Sequence, residues 1–252
     1  METEKLFWKD AYMAEFEAVV ISVSVENEGT GKFIVLDKTA FYPHGGGQPC
    51  DTGKLLKEVQ IDGKSDVAVW SVKSVIKKDG NIIHELEGPD EIKIGDKMHG
   101  YINWNRRHEL MKMHTTAHLL SAIIHKETGV LITGNQLGEN ESRIDFALRD
   151  FSKEKAQDYI DRANSIIQQN LPVTSYIVKM VDVAGDESLF KLAKGFPADM
   201  QEIRIVEIKG VDKQADGGTH VLFLGEIGKI VLVKTENKGK DNRRIYFKLE
   251  KV

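Results

Sequence analysis

Arg106-Arg107-His108-Glu109-Leu110-Met111-Lys112-Met113-His114-Thr115-Thr116-Ala117-His118-Leu119-Leu120-Ser121-Ala122-Ile123-Ile124-His125 is the run around which the rest of the chain is arranged. Leu110, Met113, Ala117, Leu120 and Ile124 recur at alternating steps of three and four, which predicts a helix from Arg106 to about Lys126 with one apolar stripe against a core. His114 and His118 stand beside that stripe, one turn apart, so both imidazoles can converge on one point. Two readings fit the pair alone: a shared metal ion, or two partly buried histidines satisfied by backbone oxygens.

About a hundred residues on, Gln214-Ala215-Asp216-Gly217-Gly218-Thr219-His220 places an acid and a histidine on either side of two glycines, which allow a tight backbone path. His114, His118, Asp216 and His220 together make a plausible tetrahedral set, and zinc is its commonest occupant. One such ion per chain is expected.

Composition narrows the setting. The 252 residues can bury a substantial core, and 41% hydrophobic with 29% charged content belongs to an ordinary globular protein. The apolar runs are far shorter than the ~20 residues of a membrane span, and the first residues lack a secretory signature, so a cytoplasmic location away from membranes is expected. A single cysteine, Cys50, excludes an internal disulfide and a cysteine-rich metal site. The net charge of −4 argues against general nucleic-acid coating. Locally, Lys234 to Lys251 holds seven basic residues against three acidic, either a solvated hairpin or a nucleic-acid contact.

Residues 1–104 read as a β-rich domain, a small barrel or sandwich. Phe16 to Val25, Lys32 to Leu36, Val67 to Ile76, Ile82 to Leu86 and Lys97 to Trp104 have strand character, with Asp79-Gly80 as a hairpin turn. Within this domain lies Phe41-Tyr42-Pro43-His44-Gly45-Gly46-Gly47-Gln48-Pro49. Its three glycines either turn sharply or bring backbone close to a ligand. Residues 105–252 mix helix and strand. Val130 to Gly138 reads as turn-rich, Arg143 to Leu148 as a strand, and Asp150-Phe151-Ser152 as the start of a helix over Lys153 to Gln169. Pro172 to Val181 and Ile203 to Ile208 follow as strands, and Lys229 to Lys234 with Arg244 to Leu249 as a hairpin across Lys238-Gly239. The fold class expected is α+β, a β-barrel-like domain followed by one in which the long helix packs on an antiparallel sheet.

Four stretches in this order, Phe41 to Pro49, Gly100 to Arg107, His114 to Leu120 and Gln214 to Val221, resemble the freestanding alanyl-tRNA editing proteins of the AlaX type. These are similar to the editing domain of alanyl-tRNA synthetase and more distantly to that of threonyl-tRNA synthetase. The resemblance covers nearly the whole chain and fits the medium-length form, in which a small β domain precedes the editing domain. It implies hydrolysis of the ester that joins a wrong amino acid, serine or glycine, to the terminal ribose of tRNA(Ala). His114, His118 and His220 match the family's metal histidines; Asp216 stands where the synthetase domain usually has Cys. Direct coordination, coordination through water and a general-base role are all open to Asp216. The stretch Leu222-Phe223-Leu224 also departs from the polar residues common in the family at that point.

The ester is already activated, so the chemistry needs a placed water and a stabilised oxyanion. Zinc could lower the pKa of a water to ~7 and polarise the carbonyl, or could hold the amino group while another water attacks. Thr115 stands where helical zinc peptidases carry Glu, which argues against peptide hydrolysis by that route. Selection against alanine rests on one hydroxyl, and Thr133 first, then Asn135 and Gln136, are the substrate-binding candidates, with Gly45, Gly46, Gly47 and Gln48 as a second wall. Arg106, Arg107, Arg243 and Arg244 are the tRNA-binding candidates, although Arg106 and Arg107 could instead anchor the helix. A metal-stabilised tRNA-binding module without hydrolysis and a metallohydrolase of small aminoacyl esters are the competing functions.

Overall fold

Alternation of apolar and polar residues closes a barrel in the N-terminal part of the chain. In order come β1 (Glu4–Lys5), α1 (Leu6–Lys9), β2 (Glu15–Val25), β3 (Lys32–Leu36), β4 (Lys38–Thr39), β5 (Gly53–Ile61), β6 (Lys64–Lys78), β7 (Asn81–Glu87) and β8 (Lys97–Ile102). Six of these pair as β2-β3-β7-β6-β5-β8, every pairing antiparallel, and β8 closes the ring by pairing with both β2 and β5. Phe16, Val20, Ile34, Leu55, Trp70 and Leu86 fill the interior. Each such side chain contributes roughly 1.5–3 kcal/mol relative to exposure. The buried Trp70 gives its indole N–H to Pro89 O at 2.9 Å, so its one polar group is satisfied. Strand β5 escapes the pattern reading because Leu55 and Leu56 are adjacent, which blurs the alternation.

This is a computed structural model describing residues 2–25, 32–61, 64–89, 91–148, 151–183, 185–186, 189 and 201–250. The barrel belongs to one compact unit, Met1–Gly45 with Pro49–His108; the other comprises Gly46–Gln48 and Glu109–Val252. The fold is mixed α+β.

The second unit takes most of α2 (Trp104–Thr128), then β9 (Ile132–Gln136), β10 (Ser142–Phe146), α3 (Lys153–Ile167), β11 (Val173–Lys179), α4 (Met180–Val183), β12 (Glu202–Ile208), β13 (Asp212–Ala215), β14 (Ile230–Asn237) and β15 (Arg243–Leu249). One sheet runs β14-β15-β10-β9 and another β11-β12-β13. Asn103 starts α2, its side chain accepting the Arg106 N–H at 3.3 Å. Ser152 caps α3 by accepting from Lys155 N at 3.2 Å, while Asp150 lies outside the described residues. Asn164 fastens α3 to β14 through both its amide groups, Nδ2 to Ile230 O at 2.9 Å and Ile230 N to Oδ1 at 2.8 Å.

Two expectations are corrected. The single apolar stripe on α2 understates its burial, because residues 113–124 are all buried. A helix enclosed on every side places its polar residues in the interior as well, so Thr115, Thr116 and Ser121 lie there beside the two histidines. The segment Val130 to Gly138, read as turn-rich, contains β9. It is polar because it is the edge of its sheet, and Ile132 and Leu137 are its buried residues. Among the described residues no helix is long and apolar enough to cross a membrane.

Candidate metal centre

The spacing on α2 brings His114 and His118 to one face, and the hairpin of β12 and β13 delivers Asp216 and His220. Asp216 extends the β12–β13 ladder by one bond, its N–H donating to Arg204 O at 2.9 Å. Arg204 is itself buried and donates from Nη1 to Gly218 O at 2.7 Å and Asp216 O at 3.3 Å, which fixes the path between the acid and His220. One ligand-type atom from each of His114, His118, Asp216 and His220 lies within 4.8 Å of all the others. The Nε2 atoms of His114 and His118 stand 3.5 and 3.9 Å from Asp216 Oδ1, and that of His220 stands 3.0 Å from Oδ2. Zinc bonds of about 2.0–2.2 Å would put tetrahedral ligand atoms roughly 3.3–3.6 Å apart. The observed spacings straddle that range.

The other ring nitrogen of each histidine has a partner of its own. His114 Nδ1 donates to Gln48 Oε1 at 2.8 Å, and that amide is held by Thr219, whose N–H reaches Oε1 at 3.2 Å and whose hydroxyl accepts from Nε2 at 2.9 Å. Around His118 Nδ1 lie the Gln214 amide at 2.8 Å and Asp212 Oδ2 at 3.3 Å. Thr115 gives its hydroxyl proton to Met111 O at 2.9 Å, so its oxygen accepts from His220 Nδ1 at 3.1 Å. With Nδ1 thus engaged in all three rings, Nε2 is the atom each turns toward the common point. That is how metal-ligating histidines are oriented. Packing is tight as well: a Cβ on Gly218 would lie 2.2 Å from His114 Cε1.

The four groups of the cluster shift one another's protonation in opposite directions. Burial pushes His114 down to about 4 and His220 well below the ordinary imidazole range, the neighbouring histidines adding to the shift. Burial opposes charge on His118 too, yet hydrogen bonds and charges from Asp212 and Asp216 outweigh it and hold the ring up at about 9. Burial likewise opposes charge on Asp216, but His114, His118 and His220 keep its carboxyl well below the usual carboxylate range.

The remaining residues singled out in the sequence divide. Gln48 is fully buried and engaged with His114 and Thr219, which corrects its reading as an open substrate wall. Gly46 and Gly47 sit at φ 59 and 83, and a Cβ on Gly47 would overlap Asn135 Oδ1 at 1.7 Å, so the bare backbone there admits Asn135. Leu137 N completes this junction by donating to Gly47 O at 2.9 Å. Gly45 belongs to the barrel unit, where its carbonyl accepts from Tyr42 Oη at 3.0 Å. Thr133 and Gln136 are exposed; the Thr133 hydroxyl donates to Asn242 Oδ1 at 3.0 Å, and Gln136 Oε1 accepts from Arg143 at 3.2 Å.

Of the two readings open to Arg107, tRNA contact and helix anchor, its burial fits the anchor and corrects its place among the tRNA-binding candidates. Arg107 is wholly buried, paired with Asp51, and donates to Ala11 O at 2.8 Å and Ala40 O at 2.5 Å. Arg106 is half-buried, with Nε on Cys50 O at 3.1 Å. Arg244 grips Asp145 at 2.6 and 2.7 Å, and Arg243 binds the carbonyls of its own hairpin turn, Gly239 O at 3.2 Å and Asn242 O at 3.0 Å. Sequence reasoning missed Asp212, Gln214, Thr115, Thr219 and Arg204. A signal existed for the first two: Asp212, Gln214 and Asp216 alternate with period two, which puts them on one face of a strand.

Comparison with known proteins completes the picture. The family described as "tRNA synthetases class II (A)" matches residues 3–106, and "Threonyl and Alanyl tRNA synthetase second additional domain" matches residues 203–246. The alanyl-tRNA editing protein AlaX-M of Methanosarcina barkeri is 47% identical over 251 residues, covering 98% of this chain and 99% of its own. That of Saccharolobus solfataricus is 37% identical over 245 residues, covering 97% and 98%. The alanine–tRNA ligase of Methanobrevibacter smithii is 38% identical across 98% of this chain, which corresponds to 27% of the ligase. With likeness of this degree sustained over nearly the whole of both chains, this protein belongs to the AlaX-M family of alanyl-tRNA editing proteins.

Proposed function

We propose that the protein hydrolyses the ester joining serine, and also glycine, to the terminal ribose of tRNA(Ala), with one zinc ion held by His114, His118, Asp216 and His220. The observation that carries this reading is the orientation of the three imidazoles, each with Nδ1 engaged by an outer partner and Nε2 facing Asp216. Three neutral imidazoles and one carboxylate are a donor set that suits zinc. When bound, such an ion supplies Lewis acidity toward an ester carbonyl and toward water.

The chain's own groups do the rest. Asp216 is held anionic, and Gly218 N donates to its Oδ2 at 2.5 Å. A carboxylate with so low a pKa is a poor proton acceptor at neutral pH, so its role is to hold and balance the cation rather than to act as general base. In this reading Thr133, Asn135 and Gln136 test for the serine hydroxyl, and Gly46 and Gly47, against which Asn135 lies, form the backbone wall. A site that pairs with that hydroxyl leaves a group unsatisfied when alanine enters, a loss of several kcal/mol. In this reading residues 105–252 carry the editing centre and α2 its first two ligands, while residues 1–104 form the β domain that precedes it; Arg106, Arg243 and the basic β14–β15 hairpin meet phosphate and sugar. The setting is the cytoplasm, where charged tRNA is used.

The test is hydrolysis of seryl-, glycyl- and alanyl-tRNA(Ala) by native protein and by a His114→Ala, His118→Ala double variant, with metal quantified in the same samples. The expected result is that native protein clears the seryl and glycyl esters and spares the alanyl ester, and that the variant loses activity and metal together. Metal retained with the seryl ester left intact would end the hydrolase reading in favour of a metal-stabilised tRNA-binding module. Equal hydrolysis of small aminoacyl esters and charged tRNA would instead favour a small-ester metallohydrolase.

A further inference from the structure

His220 and Val221 are buried, and the chain then surfaces abruptly. Leu222 and Phe223 are 51% and 47% exposed, while Leu224 is again buried. Two neighbouring large apolar side chains face solvent within three residues of a candidate ligand, and three residues reach at most about 10 Å.

Backbone hydrogen bonds on several sides hold these two residues in place. Glu226 Oε1 accepts from the N–H groups of both Leu222 and Phe223, each at 3.0 Å. Val173 N donates to Leu222 O at 2.8 Å, Leu224 N to Leu171 O at 3.0 Å, and Phe223 bridges Pro172. Asn170 adopts φ 47, and its Oδ1 takes Gly225 N at 2.9 Å. Asparagine tolerates that left-handed region and commonly closes the turn after a helix, and here its side chain ties that turn to Gly225. The exposed pair is therefore a rigid ledge.

We propose that this ledge receives the base of the terminal adenosine of the tRNA, stacked on Phe223 and edged by Leu222; the inference rests on the aminoacyl-tRNA reading of the adjoining site. Unpaired bases are bound chiefly by stacking on aromatic rings, and a pre-ordered ring does so without an ordering cost. The ester under attack sits on the ribose of that same nucleotide, so its base must lie beside the metal centre, where the ledge is. Across Pro172 from the ledge stands the exposed Lys209, its N–H donating to Pro172 O at 3.2 Å.

The probes are two uncharged hairpin RNAs of acceptor-stem form, one ending in CCA and one in CC. In a Phe223→Trp variant, measured against native protein with its three tryptophans, the added emission is quenched by the CCA RNA and not by the CC RNA. Phe223→Ala weakens CCA binding by about 5- to 100-fold, leaves CC binding unchanged, and raises KM for the charged tRNA more than it lowers kcat; Phe223→Tyr restores both. Equal CCA binding by native and Phe223→Ala protein overturns the proposal. So does a shift in oligomeric state on Phe223→Ala with CCA binding intact, since the ledge would then contact a second copy. If native protein discriminates CCA from CC through Phe223 yet hydrolyses no charged tRNA, the stacking site stands and the hydrolase reading falls.

Discussion

Gln48 Oε1 and His114 Nδ1 meet at 2.8 Å across 66 positions of sequence. The contact gives the glycine-rich loop a defined role, in which Gly46 and Gly47 carry the chain around so that a buried amide can set the tautomer of a candidate ligand histidine. Replacing Gln48 by Ala frees that ring and leaves the Thr219 N–H without its acceptor. Metal affinity should fall about 10- to 100-fold, the usual effect of losing a partner behind a ligand. Competition with a chromogenic chelator measures this, and Gln48→Glu, which keeps an acceptor at the same place, should recover most of the loss. Unchanged affinity in Gln48→Ala would remove the loop from the metal centre.

His118 offers a prediction about protons. In the metal-free protein Asp212 and Asp216 hold its pKa at about 9 in spite of burial, against 6.5 for a free imidazole. A folded value above the unfolded one means that the charged ring stabilises the metal-free fold fully below about pH 6.5 and loses that contribution as pH rises through 9. Ligation requires the neutral ring, so zinc uptake at pH 7 should release about one proton, and affinity should climb up to about tenfold per pH unit between 7 and 9. Calorimetry in two buffers of unlike ionisation enthalpy counts the proton directly. A count near zero would mean that His118 is already neutral before metal arrives.

The two parts of the centre were unequally legible. His114 and His118 announce themselves through the helical period, and Asp216 with His220 through the two glycines between them, which allow a tight turn. Gln48 and Thr115 do not, since what assigns them a role is the ring nitrogen they meet across 66 and 105 positions once the chain has folded. The arginines show the opposite error. A basic residue reads as a phosphate contact until burial is known, and Arg107 and Asp51 reveal their pairing only when strands β2 to β8 close. Similarly β9 was hidden because an edge strand need not show an apolar face.

His84 points into the barrel, its Nε2 at 2.9 Å from Thr39 Oγ1 and its Nδ1 at 3.4 Å from Ile34 O. Burial lowers its pKa to about 4, only partly offset by the Ile34 carbonyl. Between pH 6.5 and about 4 the unfolded chain therefore binds a proton that the folded chain refuses, so stability falls as pH drops through that window. The size is on the order of 3 kcal/mol. A His84→Gln variant lacks this linkage, and its denaturation midpoint should decline less steeply from pH 7 to pH 4 than that of native protein. Comparing slopes cancels the metal-site histidines, which both proteins share; parallel slopes would show that His84 is protonated in the fold.

Arg107 and Asp51 form an ion pair in which both side chains are fully buried. Asp51 also accepts the Tyr42 N–H at 2.6 Å, so the pair joins the start of α2 to the loop before Gly45 and to the barrel interior. Two accounts of Arg107 can be separated by what its loss changes. As an RNA contact, its removal would lower the slope of log affinity against log salt by about 1 and leave stability alone. As an internal anchor, loss of its partner should cost about 3–5 kcal/mol, since a guanidinium is then left uncompensated away from water. Asp51→Ala is the cleaner probe, because it strands the arginine without touching any residue assigned to RNA. Chemical denaturation should show the large loss, and the salt slope of RNA binding, measured below the denaturation transition, should stay at the native value. Replacing both partners with apolar residues of similar volume should recover a good part of the stability, which an exposed RNA-binding arginine has no reason to do.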